Sequence, residues 1–170
     1  MTLHYHTALQ IAKDKGLTRD NILALDLATK TGWATSKDSG NWNLTPTKEE
    51  KAKGINEYFK LLDTLSDFIE QHPHIKVVVM EDVLRTGGNA IPNNKLAEYH
   101  GIVKAVSVNY YLQPTVEVPF YDIKRYVTGK NNATKKEVMD GVTKKLGRSF
   151  TSDDEADAIA LFYLASRNIS

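Results

Sequence analysis

The chain contains no cysteine. That removes disulfides, thiolate zinc sites, iron–sulfur clusters and cysteine nucleophiles together, and it fits a reducing compartment. No apolar run approaches the ~20 residues that a membrane span needs. Residues 1–15 scatter His4, His6 and Lys13 among their apolar positions and lack the continuous apolar stretch of a signal peptide. A cytoplasmic protein with no membrane partner is therefore expected. Ten glycines and five prolines exclude a collagen-like repeat, and neither internal repeats nor low-complexity segments stand out. What is present is ordinary for a folded soluble domain: 41% hydrophobic and 25% charged residues. At 170 residues the chain fits one domain able to stand on its own core.

The overall formal charge is only +1, but it is unevenly spread. Residues 123–148 hold eight basic side chains, among them Lys124, Arg125, Lys130, Lys135 and Lys136, against two acids, Glu137 and Asp140. Such asymmetry marks either a face for a polyanion or a lysine-rich helix surface turned to water.

Pattern along the chain predicts an α/β fold. Residues 3–15 read as a short helix, and residues 1–20 as an N-terminal extension outside the main domain at 21–170. Strands are predicted at 22–27, 31–35 and 40–44, antiparallel because their loops are short. A long helix follows over 49–71, carried by Ile55, Phe59, Leu62, Leu65, Phe68 and Ile69. The apolar run at 75–80 suits a strand buried on both faces. Gly87, Gly88 and neighbouring asparagines make 85–94 a loop. A helix at 95–112, a strand at 115–120, a turn near 121–127 and helices at 134–146 and 153–167 complete the order. Thr134 with Glu137, and Ser152 with Glu155, match the capping box of helix starts. The sum is a mixed five-stranded sheet with helices on both faces.

Three acidic positions stand where an acid is costly. Asp26 lies in the first strand, Glu81 and Asp82 end the buried strand, and Asp153, Asp154, Glu155 and Asp157 crowd the start of the last helix. Singly, each has a plainer explanation in a turn, a sheet edge or a helix dipole. Together they gain meaning if the first and fourth strands lie side by side in parallel. Asp26 and Glu81 then meet, and Asp154 and Asp157, three apart on one helix face, complete a cluster of four. Four carboxylates at contact distance require a cation, and hard oxygen donors without cysteine select magnesium or manganese. Two such ions support phosphodiester hydrolysis, and the basic window would hold the polyanion. Asp82 reads as a surface carboxylate. The histidines at 4, 6, 72, 74 and 100, Trp33 and Trp42 read as structural.

With these residues in place, the chain resembles RuvC-type Holliday junction resolvases of the RNase H-like superfamily. ILALDLATKTGWA (22–34) is similar to the family's first catalytic strand, VVVMEDV (77–83) to its second acidic block, and DEADAIAL (154–161) to its closing helix. IKRYVTGKNNATKKEV (123–138) is similar to the lysine-bearing segment, with Lys124 and Lys135 at its DNA-contacting lysines. The resemblance spans residues 22–165. It implies an RNase H-like sheet of three antiparallel and two parallel strands. It also implies Asp26, Glu81, Asp154 and Asp157 as ligands of two Mg2+ ions, with Mn2+ able to substitute. Lys124 would act at the scissile phosphate, and Arg125, Lys130, Lys135 and Lys136 would bind DNA. The implied activity is a homodimer cutting two opposed strands of a four-way junction, leaving 5′-phosphate and 3′-hydroxyl ends. Asp153 is the rival to Asp154. The family's proline–glycine turn after the first acid is replaced here by Leu27-Ala28-Thr29-Lys30, and Leu84 stands where an aromatic often follows the second acid. These departures fit a divergent phage or mobile-element member. Other expectations are an RNase H-like nuclease acting on flaps, forks or RNA–DNA hybrids, and, from another class, an actin-like or sugar-kinase ATPase fragment. The latter needs a second phosphate loop, for which only Thr86-Gly87-Gly88 offers a hint. Surplus apolar residues on the 96–112 helix, including Val106 and Val108, are expected at the dimer interface.

Overall fold

The structure, a computed structural model, describes residues 4–83 and 90–169. Five strands form one sheet in the order β3-β2-β1-β4-β5. β1 (Ile22–Asp26), β2 (Lys30–Ala34) and β3 (Ser39–Asn43) are antiparallel, while β4 (Val77–Glu81) runs parallel to β1 and β5 (Val116–Val118) parallel to β4. This is the expected three-plus-two sheet. Leu84, Arg85, Gly87 and Gly88 lie outside the described residues.

Side-chain alternation splits the core in two. Ile22 and Ala24 of β1, with Val77 and Val79 of β4, face one apolar cluster; Leu23 and Leu25, with Val78 and Met80, face the other. Both faces of these strands are dry, which is why they read as unbroken apolar runs. The first cluster is closed by α1 (Tyr5–Asp14), α5 (Phe120–Thr128), α6 (Lys135–Gly141) and α7 (Asp153–Ile169). The second is closed by α3 (Glu57–Gln71) and α4 (Ala90–Asn109).

Four expectations change. Residues 5–14 do not stand apart: Leu9 is fully buried, Tyr5 and Ala12 nearly so, and all three join the first cluster. Burying one leucine side chain is worth roughly 1.5–3 kcal/mol, and Tyr5 and Ala12 add to what holds the helix on the cluster. The helix expected over 49–71 breaks into α2 (Lys48–Ala52) and α3, because Gly54 takes a left-handed φ of +77° that a helix cannot continue through. Asn56 then caps α3 by accepting a hydrogen bond from the Phe59 amide at 2.9 Å. The buried stripe of α3 is Leu61, Leu65, Phe68 and Ile69, so Phe59 and Leu62 are exposed instead. On α4, Val103 and Val106 pack within the subunit, while Val108 is a large exposed member of the expected surplus. The helix predicted at 134–146 ends at Gly141 and continues as a π-helical turn, Val142–Leu146.

Candidate active site

Strand register delivers the first two acids. β1 and β4 pair in step up to Leu25 beside Met80, so Asp26 and Glu81 follow side by side at the C-terminal strand ends. Both share the parity of Ala24 and Val79 and therefore point toward the α7 face. α7 supplies Asp154 and Asp157. Its start is held by Ser152, whose Oγ accepts from the Glu155 amide (3.1 Å) and donates to Asn41 Oδ1 of β3 (2.6 Å). Glu155 is itself buried and tied to β3, its carboxylate accepting from Ser39 Oγ at 2.7 Å and from Thr151 at 2.9 Å.

A residue without chemistry of its own sets how closely this helix approaches. Gly32 of β2 pairs with Asp26, and a Cβ placed on it would sit 1.9 Å from the Asp154 carbonyl oxygen. The α7 backbone thus rests directly on the strand, and only glycine leaves room for it. The sequence signal was a lone glycine inside a strand.

Asp26, Glu81, Asp154 and Asp157 line one cavity of about 300 Å³, together with Lys124, Lys135, Phe120, Ile123, Val138 and Leu161. Burial, and then the neighbouring charges of Asp157, Glu81 and Asp154, push the Asp26 carboxyl well above the usual carboxylate range. Burial also lifts Glu81 to about 7, with Asp157 adding and Lys124 opposing. Asp157 rises to about 6, again by burial, against the pull of Lys135. Asp154 is raised by burial and by Asp153. Asp153 differs: it does not line the cavity and pairs with Lys135 at 3.1 Å, which holds its carboxyl low.

The four carboxylates share one cavity. Among the described residues, no group of three or more His, Asp or Glu side chains is arranged to hold a metal ion. Like charges repel until a cation compensates them, and here burial first, with that repulsion added, raises the proton affinities. The donor set still fits hard divalent ions: four carboxylates, with no nitrogen or sulfur among the polar lining except two lysines.

The cationic candidates divide. Lys124 lines the cavity with its ammonium 4.6 Å from the Phe120 ring centre. Lys135 lines it too, bound to Asp153. Arg125 pairs with Asp122, Lys130 pairs with Glu137 at 3.1 Å, and Lys136 is exposed; none of these three lines the cavity. Asp82 donates its backbone amide to the Val118 carbonyl and also stays outside. His100, expected to be structural, is buried and bonds through Nδ1 to Glu117 at 3.1 Å, while Trp33 and Trp42 pack around Phe68. No helix among the described residues is long and apolar enough to cross a membrane.

No family model matches the sequence, and no curated protein matches it. Solved structures do match. RuvC of Thermus thermophilus in complex with a Holliday junction substrate superposes with a TM-score of 0.62 at 17% identity, over 86% of this chain and 96% of that one. A second Thermus thermophilus RuvC structure gives 0.59 at 18% identity, over 84% and 94%. The yeast mitochondrial Holliday junction resolvase Ydc2 gives 0.57 at 13% identity, over 96% and 93%. The chain therefore has the RNase H-like fold of these resolvases.

Proposed function

We propose that this protein is a metal-dependent endonuclease that resolves four-way DNA junctions. The observation that carries the proposal is the placing of Asp26, Glu81, Asp154 and Asp157, from two strands and a helix, around one cavity that also holds Lys124 and Lys135. Likeness in fold to proteins described as Holliday junction resolvases supports the choice of substrate. Asp26, central on the sheet, with Glu81, Asp154 and Asp157 around it, would hold Mg2+ or Mn2+. Two such ions, once bound, activate water and stabilise the leaving oxygen during phosphodiester hydrolysis. Lys124 reaches the same cavity and offers its ammonium to the scissile phosphate. Phe120, Ile123, Val138 and Leu161 form an apolar wall that keeps the carboxylates from bulk water and strengthens their grip on a cation. Water adds to phosphorus, the bond to the 3′ oxygen breaks, and the products carry 5′-phosphate and 3′-hydroxyl ends. Two opposed cuts require two such sites, so the active species is a homodimer.

The test uses a four-way junction, linear duplex, flap, fork and RNA–DNA hybrid, each with and without Mg2+. The expected result is paired symmetric cuts in the junction that need Mg2+ and vanish in Asp26→Asn. Equal cutting by Asp26→Asn overturns the site assignment. Preference for a flap, a fork or a hybrid keeps the nuclease and replaces the junction as substrate.

A further inference from the structure

A second cavity, lined by none of the proposed catalytic acids, has a strongly basic rim. It is bounded by α1, α5, the Val142–Leu146 turn and the C-terminal end of α7, with Tyr5, His6, Asp122, Arg125, Tyr126, Lys145, Arg167 and Asn168 in its lining. Three of these side chains are cationic and one is an acid. That acid is already engaged: Asp122 accepts from the Tyr5 hydroxyl at 3.0 Å through one oxygen and holds Arg125 through the other. Lys145 and Arg167 have no carboxylate partner among the described residues. Both are nevertheless positioned, because each sits over the Tyr126 ring, at 4.6 and 5.6 Å from its centre. Lys145 also donates to the Tyr126 carbonyl. Like charges gathered on one ring without acidic compensation are poised for an anion.

From this cradle we infer a second phosphate-binding site, formed by Lys145, Arg167 and Arg125 and taking backbone phosphate of a nucleic-acid strand. It rests on the proposed function and deepens it. α5 is the wall between the two cavities: Phe120, Ile123 and Lys124 face the carboxylates, whereas Asp122, Arg125 and Tyr126 face the cradle. A phosphodiester backbone crossing α5 therefore meets cations on both sides of the helix. α1 contributes Tyr5 and His6 to the cradle, which gives the docked N-terminal helix a part in substrate binding beyond packing.

Binding of a labelled four-way junction is measured in chelator, so that no strand is cut, across a salt series. Each of Lys145→Gln and Arg167→Gln should reduce the slope of log affinity against log salt by about 0.9, and the double variant by about twice that. Arg167→Lys, which keeps the charge, should hold the original slope even if packing on Tyr126 loosens. Lys51→Gln, an exposed site on α2, should leave the slope unaltered. An unchanged slope in the double variant overturns the site. So does an equal fall in Lys51→Gln, which would mean that only net charge matters. If the unaltered protein binds no DNA at all, the proposed function falls and the cradle falls with it; if it binds and only the cradle variants are silent, the cradle alone is wrong.

Discussion

Asp26 is held against its own chemistry. It is half-buried beside three other carboxylates, and its proton affinity rises accordingly. The sign of the consequence follows from linkage. A carboxyl whose folded pKa exceeds its unfolded value binds protons more tightly in the native state, so stability falls as pH rises between the two values. For Glu81 that window runs from about 4.5 to about 7, and the loss is on the order of 3 kcal/mol. The metal-free protein should therefore melt at progressively lower temperature as pH is raised through this range. Mg2+ should restore the melting temperature at neutral pH, since a ligand bound only to the folded state stabilises it. Asp26→Asn should raise the metal-free melting temperature, abolish the Mg2+ effect and lower cutting by more than about a hundredfold, the loss typical of disturbing even an outer partner of a metal ligand. A metal-free protein most stable at neutral pH would contradict the repulsion argument. Asp153 offers the contrast. Its bridge to Lys135 is exposed, and such pairs are worth about 0–1 kcal/mol. Cutting by Asp153→Asn should stay within about fivefold of the parent, while Asp154→Asn loses far more. The four acids were legible because an acid in an apolar strand or clustered at a helix start is conspicuous. Asp154 was preferred there with Asp153 kept as its rival, because adjacent positions on a helix are separated only by where the helix is placed.

That placement is decided at the level of elements. α7 lies on β2 with no side chain between them at position 32. Gly32→Ala forces the helix start outward, which should cost about 1–3 kcal/mol by overpacking and remove Asp154 from the cavity. The expected outcome is a folded protein, shown by circular dichroism, with a lowered melting temperature and little cutting. The strands were readable because both faces of β1 and β4 are dry and their runs unbroken. The break between α2 and α3 was hidden because the helical spacing begins at Ile55, directly after Gly54, and nothing local reports that this glycine adopts a left-handed φ. α1 was misplaced for a related reason. Ten residues with alanine and lysine scattered among Tyr5, Leu9 and Ala12 look marginal alone, and only the first apolar cluster gives them a surface to cover. Leu9→Ala should therefore destabilise the whole domain by about 2–5 kcal/mol in denaturant unfolding, rather than merely free a tail. A change under half a kcal/mol would return α1 to the status of an appendage.

Across the whole molecule, the basic window does not form one patch. It divides around α5 and α6: Lys124 and Lys135 turn to the carboxylates, Arg125 and Lys145 to the second cavity, and Lys130 pairs with Glu137. The sequence exposed the excess of charge but not its division, because the facing of a short helix depends on its neighbours. If four or more phosphates are neutralised, junction affinity should fall with a log–log salt slope of about −4. The proposed homodimer would show in light scattering as twice the 19.0 kDa chain mass, with Val108 and Tyr111, 76% and 94% exposed near the end of α4, as apolar residues for it to cover. α7 ties these scales together. The helix that carries Asp154 and Asp157 also buries eleven of its residues and touches four of the five strands as well as α1, α5 and α6. Its amide protons should then exchange with solvent only when the entire domain opens, while those of the isolated α2 exchange through local fraying. A segment so firmly anchored has no freedom to swing toward a ligand. Under the proposed function, whatever bending is needed to seat a phosphate against these acids must come from the DNA.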